Sequence, residues 1–159
     1  MTNPISTHIT QYLESQQVAF RLLPHQTPAT TIDDAAKQRG IRPEQMVKSI
    51  VLRDMSHRYA IACAPGNRSV DPKKVRSLLE WRRMTCVSMQ EVASLTGYQI
   101  GTVVPILLKT PMIVVFDRQL LNEPEVTISS GSNMAGIALP CHDLVQLCQP
   151  IIGEICREP

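Results

Sequence analysis

The sequence predicts an α+β fold, a mixed, partly curled, barrel-like β-sheet surrounded by helices. Hydrophobic periodicity indicates five to seven strands and about five helices along the 159 residues, without the strict strand-helix alternation of a doubly wound sheet. No repeat, low-complexity block or linker divides the chain. Residues 1–159 are therefore expected to form a single domain.

The N-terminal part begins with a predicted helix at about residues 4–17. Its apolar stripe consists of Ile5, Ile9, Tyr12 and Leu13. A strand over Val18–Leu23 follows and ends at Pro24. Residues Thr30–Gly40 then combine hydroxyl caps, acids in the first turn and a terminal glycine, which together predict a short helix.

Two strands of one sheet are predicted next. Met46–Leu52 and Tyr59–Ala64 are apolar runs that contain β-branched residues, and the polar turn Asp54–Arg58 joins them.

The remaining helices are predicted from N-cap signals, and the remaining strands from apolar runs bounded by glycine, asparagine and proline. Asp71-Pro72 starts one helix, and the capping box Ser88–Glu91 starts another. The ending, about His142–Cys156, is predicted to be helical with a break at Pro150. Further strands are predicted at Met84–Val87, Met112–Phe116, Glu125–Ser129 and Gly136–Leu139.

The net charge of +2 is unevenly distributed along the chain. Residues 1–83 carry a net +6 and residues 84–159 a net −4. The densest basic stretch surrounds Trp81 and consists of Lys73, Lys74, Arg76, Arg82 and Arg83. Such clusters attract phosphate backbones, so this stretch is a candidate nucleic-acid-binding surface. On charge alone, a solvated helix face is the alternative.

Several classes of protein are excluded. No apolar run approaches the roughly 20 residues of a membrane-spanning helix, and no signal peptide is evident, so a cytosolic protein without a membrane partner is expected. The five cysteines form no C-x-x-C pair, and none has the spacing to histidine that a zinc finger requires. The sequence therefore predicts free thiols and no metal site. Nothing indicates DNA as a partner.

Three features point to a functional site. Lys48 interrupts an apolar strand and shares a face with Ile50 and Leu52, so it lies either at the wet end of the sheet or in a pocket. The segment Thr96–Pro105 carries two glycines, one suited to a helix cap and one that lets the backbone approach a ligand. The third feature, Ile128–Asn133, is a strand that runs into a small polar turn.

Taken in order and at these separations, the three features resemble the YbaK-like prolyl-tRNA-editing family, which includes free-standing deacylases and the editing domain inserted in bacterial prolyl-tRNA synthetases. The resemblance extends from about Pro24 to Leu147. It includes His25, Pro28, Ala29 and Thr31, then Val47–Ser49 and Val70–Val75, Thr96–Tyr98 with Gly101 and Pro105, Ser129 with Gly131, and Gly136–Leu139 with Asp143-Leu144.

One stretch departs from the family pattern. Ser132–Gly136 replaces the basic turn expected of cysteinyl-tRNA(Pro) deacylases, and it also lacks the histidine of alanine-editing relatives. The departure points to another member of the family.

The resemblance implies a deacylase that hydrolyses the ester of a mischarged tRNA, with no metal, no cofactor and no covalent intermediate. Lys48 and Gly101 are implied as the catalytic groups, one anchoring the ester end and the other holding the carbonyl or water. Substrate contacts are implied for Thr31, Gly97, Tyr98, Thr102, Ser129, Ser130 and Gly131. The implied substrate is a small amino acid such as Ala, Ser, Thr or Cys, on tRNA(Pro) or a related tRNA.

The implied partners are the acceptor end of the mischarged tRNA and an aminoacyl-tRNA synthetase. Two alternatives stay open at this point. One is a non-catalytic tRNA- or synthetase-binding adaptor with the same fold, and the other is a small-molecule-binding protein whose basic stretch is incidental.

Overall fold

The computed structural model describes residues 6–99 and 101–159, in which helices and strands are interspersed. The described helices are α1 (His8–Ser15), α2 (Ile32–Arg39), α3 (Pro72–Leu79), α4 (Met89–Thr96) and α5 (Cys141–Cys148), with short 3-10 helices at Pro43–Gln45 and Arg118–Asn122. The described strands are β1 (Arg21–Pro24), β2 (Val47–Asp54), β3 (Tyr59–Pro65), β4 (Met84–Cys86), β5 (Ile113–Asp117), β6 (Glu125–Ser129), β7 (Ala135–Pro140) and β8 (Ile151–Gly153).

The strands form two sheets. The larger has the order β4-β2-β3-β5-β8 and is mixed, because β2 is antiparallel to β3 and β4 whereas β5 is parallel to β3 and β8. The smaller, β1-β7-β6, is antiparallel. A single parallel bridge between Met46 and Thr127 connects them. The predicted α+β class with a mixed sheet is confirmed, although the strands divide into two sheets that do not close within the described residues.

The C-terminal prediction was wrong in one part. Instead of continuing as a helix, the chain leaves α5 at Gln149, which adopts a left-handed conformation with φ 46°. Pro150 cannot donate the next backbone hydrogen bond, and the β-branched pair Ile151-Ile152 then continues as β8 alongside β5. The strand therefore depends on a partner 36 residues earlier, Val115, which local periodicity does not reveal.

The N-terminal elements begin and end differently from their predicted bounds. Thr7 caps α1, whereas residues 4 and 5, in the predicted first turn, lie outside the described residues. The strand β1 begins only at Arg21, because the Val18 N–H closes the end of the helix by donating to the Leu13 carbonyl at 3.0 Å.

The core occupies both faces of the larger sheet. Between the two sheets, Val51, Ile61 and Phe116 pack with Ile128 and Ile137 of the smaller sheet. On the opposite face, Leu52, Ala62, Val75 and Ile155 form a second cluster under α3. The alternation along β2 therefore directs Ser49 and Val51 toward one face, and Lys48, Ile50 and Leu52 toward the other.

None of the described helices combines the length and the apolar character needed to cross a bilayer.

A buried carboxylate holds the predicted turn between β2 and β3. Asp54 is 2% exposed and accepts hydrogen bonds from the Arg58 guanidinium at 2.7 and 2.9 Å and from the N–H groups of Ser56 and Arg58 at 2.9 Å. Burial alone would raise the pKa of Asp54, but these donors and the Arg82 N–H lower it to about 2. The ionised carboxylate is thus the form that the folded protein stabilises.

We expect Asp54→Asn to lower the melting temperature at pH 7 by several degrees, because an amide cannot accept all of these bonds. Since the pKa of Asp54 is depressed in the folded state, its contribution is present above about pH 4 and is lost as the pH falls toward 2. Thermal unfolding at pH 2 to 7 measures this, with the exposed Asp33→Asn as control. Equal melting temperatures of wild type and Asp54→Asn at pH 7 would show that the carboxylate does not hold the turn.

Candidate active site

A cavity lies along the open edge of β2. On the edge opposite β3, β2 pairs with β4 only at Leu52–Asp54. Beyond that stretch, Lys48 and Ser49, whose side chains point to opposite faces, both line one cavity of about 150 Å³. We call it the Lys48 cavity, and its other walls include Arg39, Met46, Gly101, Val103 and Ser129.

Lys48 is half-buried at this edge. Burial lowers the pKa of its ammonium group from the ordinary value. No salt bridge to Lys48 occurs among the described residues, so its charge is not neutralised by a carboxylate there. From the sequence, Lys48 lies either at the solvent-exposed end of the sheet or in a pocket. In the structure, it lines the same cavity as Gly101.

The glycine-pair loop presents Gly101 to this cavity. Gly97 ends α4 in a left-handed conformation with φ 80°, as a helix cap requires. Behind the loop, the buried Tyr98 hydroxyl donates to the Ile106 carbonyl, and the Thr102 hydroxyl donates to the Gln99 carbonyl at 2.8 Å. Gly101 itself is exposed with φ 84°, a conformation that favours glycine.

These contacts divide the predicted loop residues into two groups. Gly101 lines the cavity, whereas Gly97, Tyr98 and Thr102 are not among the residues that line it. Their hydrogen bonds and backbone conformations hold the loop in place, and a direct contact of any of the three with substrate stays a prediction.

A second cavity of about 290 Å³ adjoins the first and lies beside α2. Thr31 and Ser129 line it, and we call it the α2 cavity. The Thr31 hydroxyl accepts the Asp34 N–H at 3.0 Å as the helix cap, and the Ser129 hydroxyl accepts the Gly131 N–H at 3.0 Å. Because Ser129, Gly101 and Arg39 line both cavities, the two are neighbouring parts of one site.

Ser130 and Gly131 shape the turn that carries Ser129. The fully buried Ser130 hydroxyl donates to the Ala135 carbonyl at 2.8 Å, and Gly131 adopts φ 91° close to Ile9. Neither is among the residues that line the two cavities. The predicted Ser-x-Gly turn is therefore present, with Ser129 as its cavity-lining member.

The sequence analysis missed Arg39. Arg39 lines both cavities, and burial lowers the pKa of its guanidinium to about 10, which leaves the group charged at neutral pH. Its Nε donates to His25 Nε2 and its Nη1 to Thr127 Oγ1, both at 3.1 Å. His25 Nδ1 lies 2.8 Å from the Asn133 carbonyl oxygen, so a neutral His25 that donates there accepts from Arg39.

A glycine makes room for this guanidinium. A Cβ atom added at Gly136 of β7 would overlap the Arg39 side chain, so the guanidinium lies against bare backbone. A signal for Arg39 was present in the sequence. Ile32, Ala35 and Ala36 form the apolar stripe of α2, and position 39 continues that stripe toward the interior. A cation in the last turn of a helix is ordinary, because it complements the helix dipole, so Arg39 was not selected from the sequence.

The predicted tRNA-binding residues only partly come together. Lys73, Arg76 and Arg83 line one surface depression with Arg157, which was not predicted. Lys74 instead donates to Glu158 at 2.8 Å and to the Cys156 carbonyl at 2.7 Å. Arg82 is exposed but is not among the residues that line the depression.

Within residues 6–99 and 101–159, no group of three or more His, Cys, Asp or Glu side chains is arranged to hold a metal ion. All five cysteines are free thiols. Neither cavity is lined by an acidic residue of the described chain, so both present a positive electrostatic environment.

Comparison with known families gives one match that covers most of the chain. The model of the family described as "Aminoacyl-tRNA editing domain" matches residues 26–147. All of the residues that line the Lys48 cavity lie within this range.

Individual proteins give a consistent result. The chain is 27% identical over 155 residues to an uncharacterized protein, YwhH, of Bacillus subtilis, covering 97% of this chain and 96% of that protein. It is 30% identical over 82 residues to a proline-tRNA ligase of Bacillus licheniformis, covering 52% of this chain but only 14% of the ligase. A crystal structure described as that of a proposed trans-editing enzyme for prolyl tRNA synthetase has a TM-score of 0.82 and 25% identity, covering 97% of this chain and 99% of that one.

Proposed function

Because the chain belongs to the aminoacyl-tRNA editing domain family, we propose that it is a trans-editing deacylase that hydrolyses the ester between a wrong amino acid and the last ribose of a tRNA. One observation carries the proposal: Lys48 and Gly101, which come from a strand and a distant loop, line the same cavity. The walls of that cavity include two cationic residues, Lys48 and Arg39.

In the proposed reaction a water molecule attacks the ester carbonyl carbon. The Lys48 ammonium and the backbone N–H groups around Gly101 stabilise the oxyanion that develops. The bond between the carbonyl carbon and the ribose oxygen then breaks, and that oxygen takes a proton as the amino acid leaves. The free hydroxyl of the same ribose relays the proton from the attacking water, so the reaction requires neither a metal nor a protein base.

The proposed substrates carry a small amino acid such as alanine, serine, threonine or cysteine, on tRNA(Pro) or a related tRNA. The partial similarity to proline-tRNA ligases supports this choice of tRNA, and it also supports a synthetase as a partner. An editing site of this kind discriminates by admitting small side chains and excluding the larger correct one.

We propose that the surface depression lined by Lys73, Arg76 and Arg83, the basic depression, binds the acceptor stem of the tRNA. Met84, in its wall, pairs with Asp54 at the far end of β2 from Lys48. Six residues of strand at about 3.3 Å each separate Lys48 from Asp54, so the depression lies about 20 Å from the cavity. This separation lets the unpaired 3′ end of a tRNA reach the cavity while its stem contacts the cations.

We expect the double variant Arg76→Ala, Arg83→Ala to bind tRNA roughly tenfold more weakly, with a salt dependence shallower by about one unit of log-log slope per cation removed. Filter binding at several salt concentrations measures both quantities. Arg21→Ala is the control, because that exposed arginine pairs with Glu125 on the smaller sheet. Unchanged affinity and slope in the double variant would place the stem elsewhere.

The proposed activity is tested by incubating the protein with tRNA(Pro) acylated in turn with alanine, serine, threonine, cysteine and proline. We expect release of at least one small amino acid well above the uncatalysed rate, and little release of proline. If every ester survives while the tRNA is bound, the chain acts as an adaptor and the deacylase proposal is overturned.

A further inference from the structure

Arg39 is a half-buried cation whose described partners are all neutral. Its hydrogen-bond acceptors are His25 and Thr127, and no salt bridge to it occurs within the described part of the chain. Burying a charge without an opposite charge destabilises a fold. The glycine at position 136 is also required to admit the side chain. Stability explains neither the uncompensated charge of Arg39 nor the glycine that makes room for it. Both features therefore point to a role of Arg39 in binding a ligand.

One end of the guanidinium remains available to a ligand. Arginine has five N–H donors, of which Nε and one on Nη1 are used here. Nη2 has no protein acceptor among the described residues. Because no described side-chain nitrogen or oxygen is both buried and without a partner, Nη2 is not sealed in the interior. Nη2 therefore keeps some exposure, and the residue to which it belongs lines both cavities.

The position of Arg39 relates these donors to the esterified amino acid. Of these two cavities, Lys48 lines only the Lys48 cavity and Thr31 only the α2 cavity, whereas Arg39 lines both. With the ester carbonyl held between Lys48 and Gly101, the side chain of the amino acid extends past Arg39 into the α2 cavity. That cavity, at about 290 Å³, accommodates more than a methyl group.

We propose that Arg39 is a specificity-determining residue, which selects aminoacyl esters whose side chain bears an oxygen acceptor, serine and threonine being the smallest. This inference rests on the proposed deacylase function and narrows its substrate class. A hydroxyl oxygen accepts an N–H from Nη2. An ethyl or methyl group in the same place takes the donor out of water and gives it no acceptor, so esters without the oxygen are disfavoured.

Isosteric pairs of substrates test the proposal. tRNA is acylated with serine or 2-aminobutyrate, which differ by a hydroxyl in place of a methyl, and with threonine or valine, which differ in the same way. We expect the wild-type protein to have a kcat/KM about 10- to 100-fold higher for the member with the hydroxyl. In Arg39→Met the ratio is expected to fall to about 1, through loss of activity on the serine and threonine esters only.

The controls separate specificity from folding and from the proposed function. Circular dichroism and thermal unfolding verify that Arg39→Met folds, and Arg39→Lys, which keeps a charge, is expected to retain part of the preference. A purely structural role would lower the rates for both members of a pair equally, and that result overturns the inference. So does a wild-type protein that hydrolyses the members of each pair at equal rates, although the deacylase function then stands. If the wild type hydrolyses none of the esters, the function itself fails and the inference fails with it.

Discussion

We expect Lys48→Ala to lose about 100- to 1000-fold in the rate of ester hydrolysis while keeping its fold. Removing one oxyanion-stabilising donor from a preorganised site typically has an effect of this size. Lys48 is half-buried and lines the same cavity as Gly101, and in such a partly dry site an electrostatic interaction is stronger than in water. Single-turnover hydrolysis of a mischarged tRNA, with enzyme in excess, measures the chemical step without product release.

Two further variants show whether the effect belongs to this amine. Lys37→Ala removes an exposed lysine of α2 and is expected to leave the rate unchanged. Lys48→Arg retains a cation but places it on a bulkier, planar group, so partial activity is expected. Hydrolysis by Lys48→Ala at the wild-type rate would remove Lys48 from the mechanism.

A second large effect is expected from Gly136→Ala. The added methyl group would overlap the Arg39 guanidinium, so either β7 shifts or Arg39 leaves its bonds to His25 and Thr127. Overpacking of this kind destabilises a protein by about 1–3 kcal/mol. Urea unfolding gives the stability, and the preference for the serine ester over the 2-aminobutyrate ester is expected to fall as it does in Arg39→Met.

A double-mutant cycle isolates the cause of that loss. In an Arg39→Ala background the space next to Gly136 is vacated, so the same Gly136→Ala change is expected to be nearly neutral or slightly stabilising, since alanine suits a strand interior better than glycine. An equal loss of stability in both backgrounds would mean that the methyl group strains β7 itself rather than displacing Arg39.

Local sequence signals predicted most of the fold because most elements are determined by their own residues. The cap of α2 by Thr31 and the left-handed Gly40 at its end are both as expected. The two neighbouring strands β2 and β3 were also predicted from their apolar runs and the polar turn between them, and the structure shows that they pair antiparallel. The strand β8 could not be predicted, because three residues after a proline become a strand only through pairing with β5, and pairing is a tertiary property.

The site residues also divide into those that the local sequence reveals and those that only the tertiary packing reveals. A lysine within an apolar strand is conspicuous, so Lys48 could be selected from the sequence alone. Arg39 ends a helix beside a glycine, where a cation is ordinary, and only the packing of α2 against β7 shows that this one is half-buried and lines the cavities. For Tyr98 and Thr102 the family resemblance implies substrate contacts, and the structure adds hydrogen bonds by which each holds the loop, which the local sequence does not reveal.

The most direct test of the proposed site is a crystal structure with a stable analogue, 3′-seryl-amino-adenosine, in which an amide replaces the ester. We predict that its carbonyl oxygen lies between the Lys48 ammonium and the backbone at Gly101, with the serine hydroxyl toward Arg39. An analogue bound instead in the C-terminal cavity lined by Arg68, Lys74 and Arg118 would contradict the assignment of the active site.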